Sequence, residues 1–132
     1  MHLCRGNRGG QWHAEGSYDD VAERLFNALE IPFYFLEYDS PRAGGFEPIK
    51  FIPREKAVVL GLITTKMPQL EERDFLRRRI EAAAKHFPLE QLCVSTQCGF
   101  ASVVVGNPVS IDEEEKKLRL VVEAATDTWG EA

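Results

Sequence analysis

The sequence predicts an α/β fold of parallel βα repeats that forms about half of a (β/α)8, or TIM, barrel. Apolar runs of strand length alternate with segments of helical periodicity, and this alternation is typical of a parallel sheet. The glycine spacing does not match the Gly-x-Gly-x-x-Gly turn of a doubly wound nucleotide-binding sheet, which favours a barrel. A complete barrel needs about 250 residues. The chain has 132, so we expect one partial barrel domain over residues 1–132.

The expected segments begin with a strand end that starts abruptly. Because most of that strand would be missing, we expect the chain to be a fragment of a longer protein. In order, the segments are a strand end at 1–4, a helix at 19–29, a strand at 31–38, a loop at 40–53 with a short helical or extended piece at 46–51, a strand at 57–65, a helix at 71–87, a strand at 89–96 and a helix from 110. Long loops of this kind tend to be functional.

Start signals and apolar stripes predict the helices. Asp19 or Asp20 is placed to cap the first helix, and Ser110 with Glu113 forms a capping-box pattern at the start of the last. The second helix has a stripe formed by Leu76, Ile80, Ala83 and Phe87. The last helix is expected to bury a face formed by Leu118, Val121, Val122, Ala125 and Trp129.

The composition is that of a globular protein without a nucleic-acid or membrane partner. The net charge is −5, and the basic residues are spread out apart from Arg77–Arg79 inside a helical pattern, which argues against a DNA or RNA surface. The longest apolar run, residues 57–63, is far shorter than the ~20 residues of a membrane span. Three Cys at scattered spacing favour metal-binding or reactive thiols in a reducing cytoplasm over a disulfide framework.

Four side chains of metal-ligand type lie at predicted strand ends. His2 and Cys4 are two apart, which on a strand points both to one face, and Glu37 and Cys98 each come from the carboxyl end of another strand. Carboxyl ends of several strands are where a barrel builds its site, and imidazole with two thiolates favours zinc. The alternative is that Cys4 and Cys98 are small apolar fillers and that His2 is a frayed terminus. The spacing alone does not decide between them.

Other polar or reactive residues near these strand ends have weaker assignments. Arg5 and Arg42 could bind a substrate carboxylate bidentately, although a solvated loop arginine is the commoner case. Asp39 follows the same strand as Glu37 and is expected to orient a ligand or Arg5. Cys93 lies at the start of its strand and is expected in the core.

Several short motifs occur in a consistent order along the chain. They are HLCRGN at 2–7, FLEYD at 35–39, RAG at 42–44, VLGL at 59–62, LE at 70–71 and QCGFAS at 97–102. With these motifs the chain resembles the carboxyl-terminal part of the cobalamin-independent methionine synthase family, in particular its short, single-barrel members. The resemblance runs from His2 to about Trp129, and it implies the carboxyl-terminal half of the barrel.

The resemblance implies a zinc ion held by His2, Cys4, Glu37 and Cys98. Family members transfer a methyl group from a folyl-polyglutamate to homocysteine, and relatives of similar architecture alkylate other thiols, coenzyme M included. The implied function is therefore a zinc-dependent methyltransferase of methionine biosynthesis that acts on a thiol, with homocysteine the expected substrate. Glu37 is the most exchangeable of the implied ligands, and we expect it to give up its place to the substrate thiol.

Two alternatives remain open at this point. One is a non-catalytic zinc- or thiol-binding module that needs a partner to complete the barrel, and the other is a transferase for a different thiol. The expected small-molecule partners are a thiol and a methyl donor. Because a half-barrel has open sheet edges, we also expect a homo-oligomer or a complementing half-barrel as a partner.

Overall fold

A computed structural model describes residues 1–130 of the chain as a parallel sheet with helices. The strands are β1 His2–Leu3, β2 Phe33–Glu37, β3 Ala57–Ile63 and β4 Leu92–Thr96, and they lie side by side in chain order. The helices are α1 Ala22–Ala28, α2 Arg73–Ala84 and α3 Ile111–Trp129. The predicted α/β class with a parallel sheet is confirmed, whereas closure into half of a barrel stays a prediction. Within residues 1–130, no helix has the length and apolarity needed to span a bilayer.

The core lies between one face of the sheet and the helices. Tyr34 of β2 packs edge-to-face on Phe26 of α1, with ring centroids 4.9 Å apart. The stripe predicted for the second helix is confirmed, because its four members are all buried in this core. The buried side chains from the sheet include Tyr34, Leu36, Val58, Leu60 and Leu92.

The opposite face of the sheet carries exposed apolar side chains. Phe33 and Phe35 alternate with the buried residues of β2 and are 49% and 42% exposed. Cys93 is exposed as well, so its predicted place in the core is wrong. Its backbone pairs with Val59, which pairs with Phe35, and side chains in register share one face of a sheet. Since no helix in residues 1–130 covers this face, Cys93 meets solvent.

The start of the first helix differs from the prediction. Its N-terminal cap is Val21, which makes no side-chain capping bond. The proposed caps at Asp19 or Asp20 are wrong, because a turn intervenes in which the Tyr18 carbonyl accepts hydrogen bonds from the Val21 and Ala22 amides. The Asp19 carboxylate instead accepts a hydrogen bond from the Ser17 hydroxyl. The loop at 40–53 contains two short 3₁₀ helices, Pro41–Ala43 and Glu47–Phe51.

The last helix begins as predicted but buries a different face. Ser110 and Glu113 form the complete capping box. The predicted apolar face is wrong in part, because Leu118 and Val122 are exposed while Lys117 is fully buried. The Lys117 ammonium donates to the Gln69 carbonyl at 2.5 Å and lies 3.1 Å from a Glu71 carboxylate oxygen. These partners satisfy the charge, so the lysine stem occupies an inward position that periodicity assigns to an apolar residue.

The buried tyrosines predict a loss of stability in alkali. Burial raises the pKa of Tyr38 above its usual value, and it raises that of Tyr18 to about 12. The unfolded chain releases phenolic protons near pH 10, whereas the folded chain retains them. The free energy of unfolding should therefore fall by about 1 kcal/mol for each such tyrosine between pH 9 and pH 11. Urea titrations at the two pH values measure this change.

Tyr38→Phe is the matched variant for this test. The Tyr38 hydroxyl has no hydrogen-bond partner among the described residues, so the substitution removes the titration without removing a hydrogen bond. We expect the variant to match or exceed the stability of the wild type at pH 7 and to lose less stability between pH 9 and pH 11. An equal loss in the two proteins would contradict the assignment to Tyr38.

Candidate metal centre

The carboxyl ends of β1 and β4 place three metal-ligand side chains together. The ligand atoms of His2, Cys4 and Cys98 all lie within 4.8 Å of one another. The His2 Nε2 atom is 3.3 Å from the Cys98 sulfur. One nitrogen and two sulfurs at this separation are a donor set that suits zinc, because zinc binds imidazole and thiolate together in tetrahedral sites.

The chain after β4 crosses back over the sheet, which explains how the two outer strands share a site. The Gln97 amide donates to the Ile63 carbonyl at 2.8 Å, beyond the end of β3. Gly61 permits this crossing, since a side-chain carbon at that position would lie 3.0 Å from the Gln97 Cα and 3.0 Å from the Leu36 carbonyl oxygen. The glycine therefore lets the segment that carries Cys98 approach the first strands closely.

Glu37, the other predicted ligand, is not in the group of ligand atoms within 4.8 Å of one another, and protein groups hold its carboxylate. It is fully buried at the end of β2, and one carboxylate oxygen accepts hydrogen bonds from the Arg5 amide at 2.6 Å and from Gln97 Nε2 at 3.2 Å. The other oxygen is 3.7 Å from Lys66 Nζ and 3.5 Å from an Arg42 nitrogen, without a hydrogen bond among the described residues. A buried carboxylate oxygen with spare acceptor capacity fits a fourth metal ligand, and that role of Glu37 stays a prediction.

Glu37 belongs to a buried cluster of charged side chains that also contains Asp39, Lys66 and Arg42. The Lys66 ammonium lies 3.1 Å from Asp39 as well as near Glu37, and an Arg42 nitrogen is 3.5 Å from Asp39. Two carboxylates thus face two cations in a place where Glu37, Asp39 and Lys66 have almost no contact with solvent. Such charges persist in the interior only when they are paired.

Burial favours the neutral forms of two of the candidate ligands, the Cys98 thiol and the His2 imidazole. Burial, followed by the neighbouring Cys4 thiol, raises the pKa of Cys98 to about 12. Burial also lowers the pKa of His2, which leaves the imidazole unprotonated at pH 7. A neutral imidazole has a free lone pair, and a divalent metal replaces the thiol protons when it binds. The three side chains therefore fit a zinc ion chemically as well as geometrically.

The residues predicted to bind substrate differ in how far other protein groups already occupy their side chains. Arg5 is buried, donates from its guanidinium to the Gly16 carbonyl and stacks on the Tyr18 ring. Asp39 is paired with Lys66 and Arg42, not with Arg5. The Arg42 side chain is 15% exposed and lies over the Trp12 ring, 4.1 Å from its centroid. The substrate roles of Arg5, Asp39 and Arg42 stay predictions, and Arg42 is the best placed of the three.

An open cleft of about 340 Å³ lies over two of the candidate ligands. Its lining includes His2 and Cys98 together with Phe35, Ser95 and Gly99. The exposed apolar face of the sheet therefore continues into the cleft. A small thiol could reach the sulfur and nitrogen donors from this side.

Two functional neighbours were missed from the sequence. Gln97 contacts both Glu37 and Cys98, and Lys66 neutralises the buried carboxylates. Lys66 follows β3, the one strand whose carboxyl end had no residue assigned to the site. Parallel strands bring all their carboxyl ends to one edge, so a polar residue just after β3 could have been predicted to lie at the site.

The sequence was compared with family models and with curated proteins, and only the curated proteins gave matches. No family model matches the sequence. Two uncharacterized proteins of Bacillus subtilis, YxjG and YxjH, are 49% and 46% identical to the chain over 130 residues. The match covers 98% of this chain and 34% of each relative. The chain therefore spans about a third of the length of the curated relatives it matches.

Two solved structures, one of a methionine synthase and one of a candidate methionine synthase, are similar to the chain. A candidate vitamin-B12-independent methionine synthase from Listeria monocytogenes is 39% identical, with a TM-score of 0.71, and the match covers 99% of this chain and 35% of that one. A B12-independent methionine synthase from a Shewanella species, in complex with selenomethionine, is 21% identical with a TM-score of 0.76. That match covers 96% of this chain and 37% of that one and shows a shared fold.

Proposed function

We propose that the chain is the zinc-binding part of a cobalamin-independent methionine-synthase-like methyltransferase. The observation that carries the proposal is the convergence of His2, Cys4 and Cys98 at the carboxyl edge of a parallel sheet. Its similarity to the Listeria protein, at 39% identity over nearly the whole chain, supports the same function. The reaction proposed is transfer of a methyl group from a methylated folate to the thiol of homocysteine.

The chain's own residues would bind and hold the reacting groups. His2 offers an unprotonated nitrogen, Cys4 and Cys98 offer sulfurs, and Glu37 is the proposed fourth ligand that gives way to substrate. Zinc, when bound, would stabilise a substrate thiol as its thiolate at neutral pH and so keep it nucleophilic. In the transfer, a bond forms between the homocysteine sulfur and the methyl carbon while the bond from that carbon to the folate nitrogen breaks. The nitrogen keeps the electron pair and takes up one proton, which balances the proton lost by the thiol.

A second candidate function is a non-catalytic zinc- or thiol-binding module. The exposed Phe33 and Phe35 favour it, because an apolar sheet face of this kind is normally covered in a complete protein. A complementing half-barrel, or a second copy of the chain, would cover that face. The transferase could also act on another thiol, such as coenzyme M, and the cleft geometry favours no single thiol.

Methionine formation separates these candidates. The zinc-loaded chain is incubated with homocysteine and a methylated folyl-polyglutamate, alone and with the remainder of YxjG supplied as a second polypeptide, and methionine is measured by mass spectrometry. Methionine formed by the chain alone, and absent with Cys98→Ala, supports the transferase. Methionine formed only with the added polypeptide supports a zinc-binding module that is non-catalytic by itself and needs a partner to complete the barrel. No methionine in either mixture contradicts the proposed reaction, and a screen of other thiols then tests the remaining candidate.

A further inference from the structure

Gln97 links two of the proposed zinc ligands through a single amide group. Its side-chain nitrogen lies 2.7 Å from the Cys98 sulfur and 3.2 Å from a Glu37 carboxylate oxygen, and the residue is 2% exposed. We infer that Gln97 is a positioning residue, which fixes the Cys98 sulfur and the Glu37 carboxylate relative to each other for metal binding. The inference rests on the proposed zinc centre and adds a residue outside the four ligands.

A chain of hydrogen bonds sets the orientation of the Gln97 amide. The Asn7 side-chain amide donates to the Thr65 hydroxyl oxygen at 3.2 Å. The Thr65 hydroxyl in turn donates its own proton to the side-chain oxygen of Gln97, Oε1, at 3.5 Å. With its oxygen directed to Thr65, the Gln97 amide presents both N–H groups to Cys98 and Glu37. The reverse orientation would place an acceptor oxygen against a carboxylate and is disfavoured.

The backbone holds Gln97 as firmly as the side-chain contacts do. Its amide donates to the Ile63 carbonyl, and its Cα lies so close to Gly61 that a side chain there would meet it. The side chain therefore starts from a fixed point above the carboxyl end of β3. A rigid donor of this kind loses little conformational entropy when the ligands bind a metal.

The chemistry of the two contacts explains why the amide would favour metal binding. Metal binding requires Cys98 as a thiolate and Glu37 as a carboxylate, and an N–H donor stabilises both anions. Loss of the amide would also leave the buried Glu37 oxygen with only the Arg5 amide as a donor. Outer hydrogen bonds to metal ligands typically change metal affinity by about 10- to 100-fold.

The test replaces Gln97 by methionine, which is similar in length, and separately by leucine. Zinc affinity is measured by competition with a chromophoric chelator, and Co²⁺ replaces zinc to follow the thiolate-to-metal charge-transfer band. We expect both variants to bind zinc about 10-fold or more weakly. The band should move to longer wavelength, because the Cys98 sulfur loses an N–H donor that stabilises its electrons. Gln91→Met, a matched change ahead of β4, should leave affinity and band unchanged.

The outcomes separate this inference from the proposed zinc centre. Wild-type affinity and an unshifted band in both Gln97 variants would overturn the positioning role and leave the zinc centre in place. A wild-type chain that binds neither zinc nor Co²⁺ would overturn both. If both variants lose the metal only together with their circular dichroism signal, Gln97 has a purely structural role, and the inference is again overturned.

Discussion

Replacing Cys98 by alanine is expected to reduce the zinc content of the purified chain from one ion per chain to less than about a tenth of that. The Cys98 sulfur lies within 4.8 Å of the ligand atoms of His2 and Cys4. The substitution therefore removes the one ligand that comes from the β4 side of the sheet. Of the remaining ligands, His2 and Cys4 are exposed, and together with Glu37 they leave one thiolate too few for a complete four-ligand site. Elemental mass spectrometry of the purified protein measures the zinc directly.

Cys93→Ala is the matched control for that experiment. Cys93 is another free thiol on the same strand segment, but it lies on the exposed face of the sheet and outside the group of ligand atoms. The control should retain the zinc content of the wild type. Equal zinc in all three proteins, or equal loss in both variants, would mean that zinc does not bind where the sulfurs and imidazole converge.

The second large effect expected is on stability, from replacing Lys66 by methionine. Lys66 is almost fully buried between Glu37 and Asp39, at 3.7 and 3.1 Å. Methionine fills a similar volume but leaves two buried carboxylates with Arg42 as their remaining cation. Breaking a buried ion pair in this way typically costs about 3–5 kcal/mol. Urea titration should show the free energy of unfolding reduced by that amount.

Lys116→Met tests whether the loss depends on burial. Lys116 also pairs with a carboxylate, at 2.6 Å from Asp112, but both side chains are on the surface of α3. The free energy of unfolding should stay at the wild-type value, because exposed ion pairs are screened by water and salt. If the Lys66 and Lys116 variants were equally stable, Glu37 and Asp39 would not depend on Lys66 for their charge balance.

Local patterns predict those parts of the fold that depend on nearby residues. Alternating apolar runs and helical stripes identify the strands and α2, and the Ser110–Glu113 pair identifies the start of α3. The exposure of Cys93 and the burial of Lys117 depend on which face of an element another element covers. Periodicity shows that an element has a preferred face, but tertiary contacts decide which residues occupy it.

Some residues of the candidate site can be predicted from a sequence pattern, and others cannot. His2, Cys4 and Cys98 have ligand chemistry and lie in or just after short strands, so the rule that strand ends converge brings them together. Gln97 and Lys66 have ordinary polar side chains whose importance comes from the carboxylates they meet. Those contacts depend on the crossing of the chain over Gly61, which no local motif specifies.

Thiol activation is tested most directly by the binding of homocysteine to the Co²⁺-loaded chain. If the substrate thiol joins Cys4 and Cys98 on the metal, the thiolate-to-metal charge-transfer absorbance should rise and saturate as homocysteine is added. Methionine, which has the same sulfur in methylated form, should cause no such rise. An absorbance that does not change at saturating homocysteine would contradict a thiol-activating metal centre in this chain.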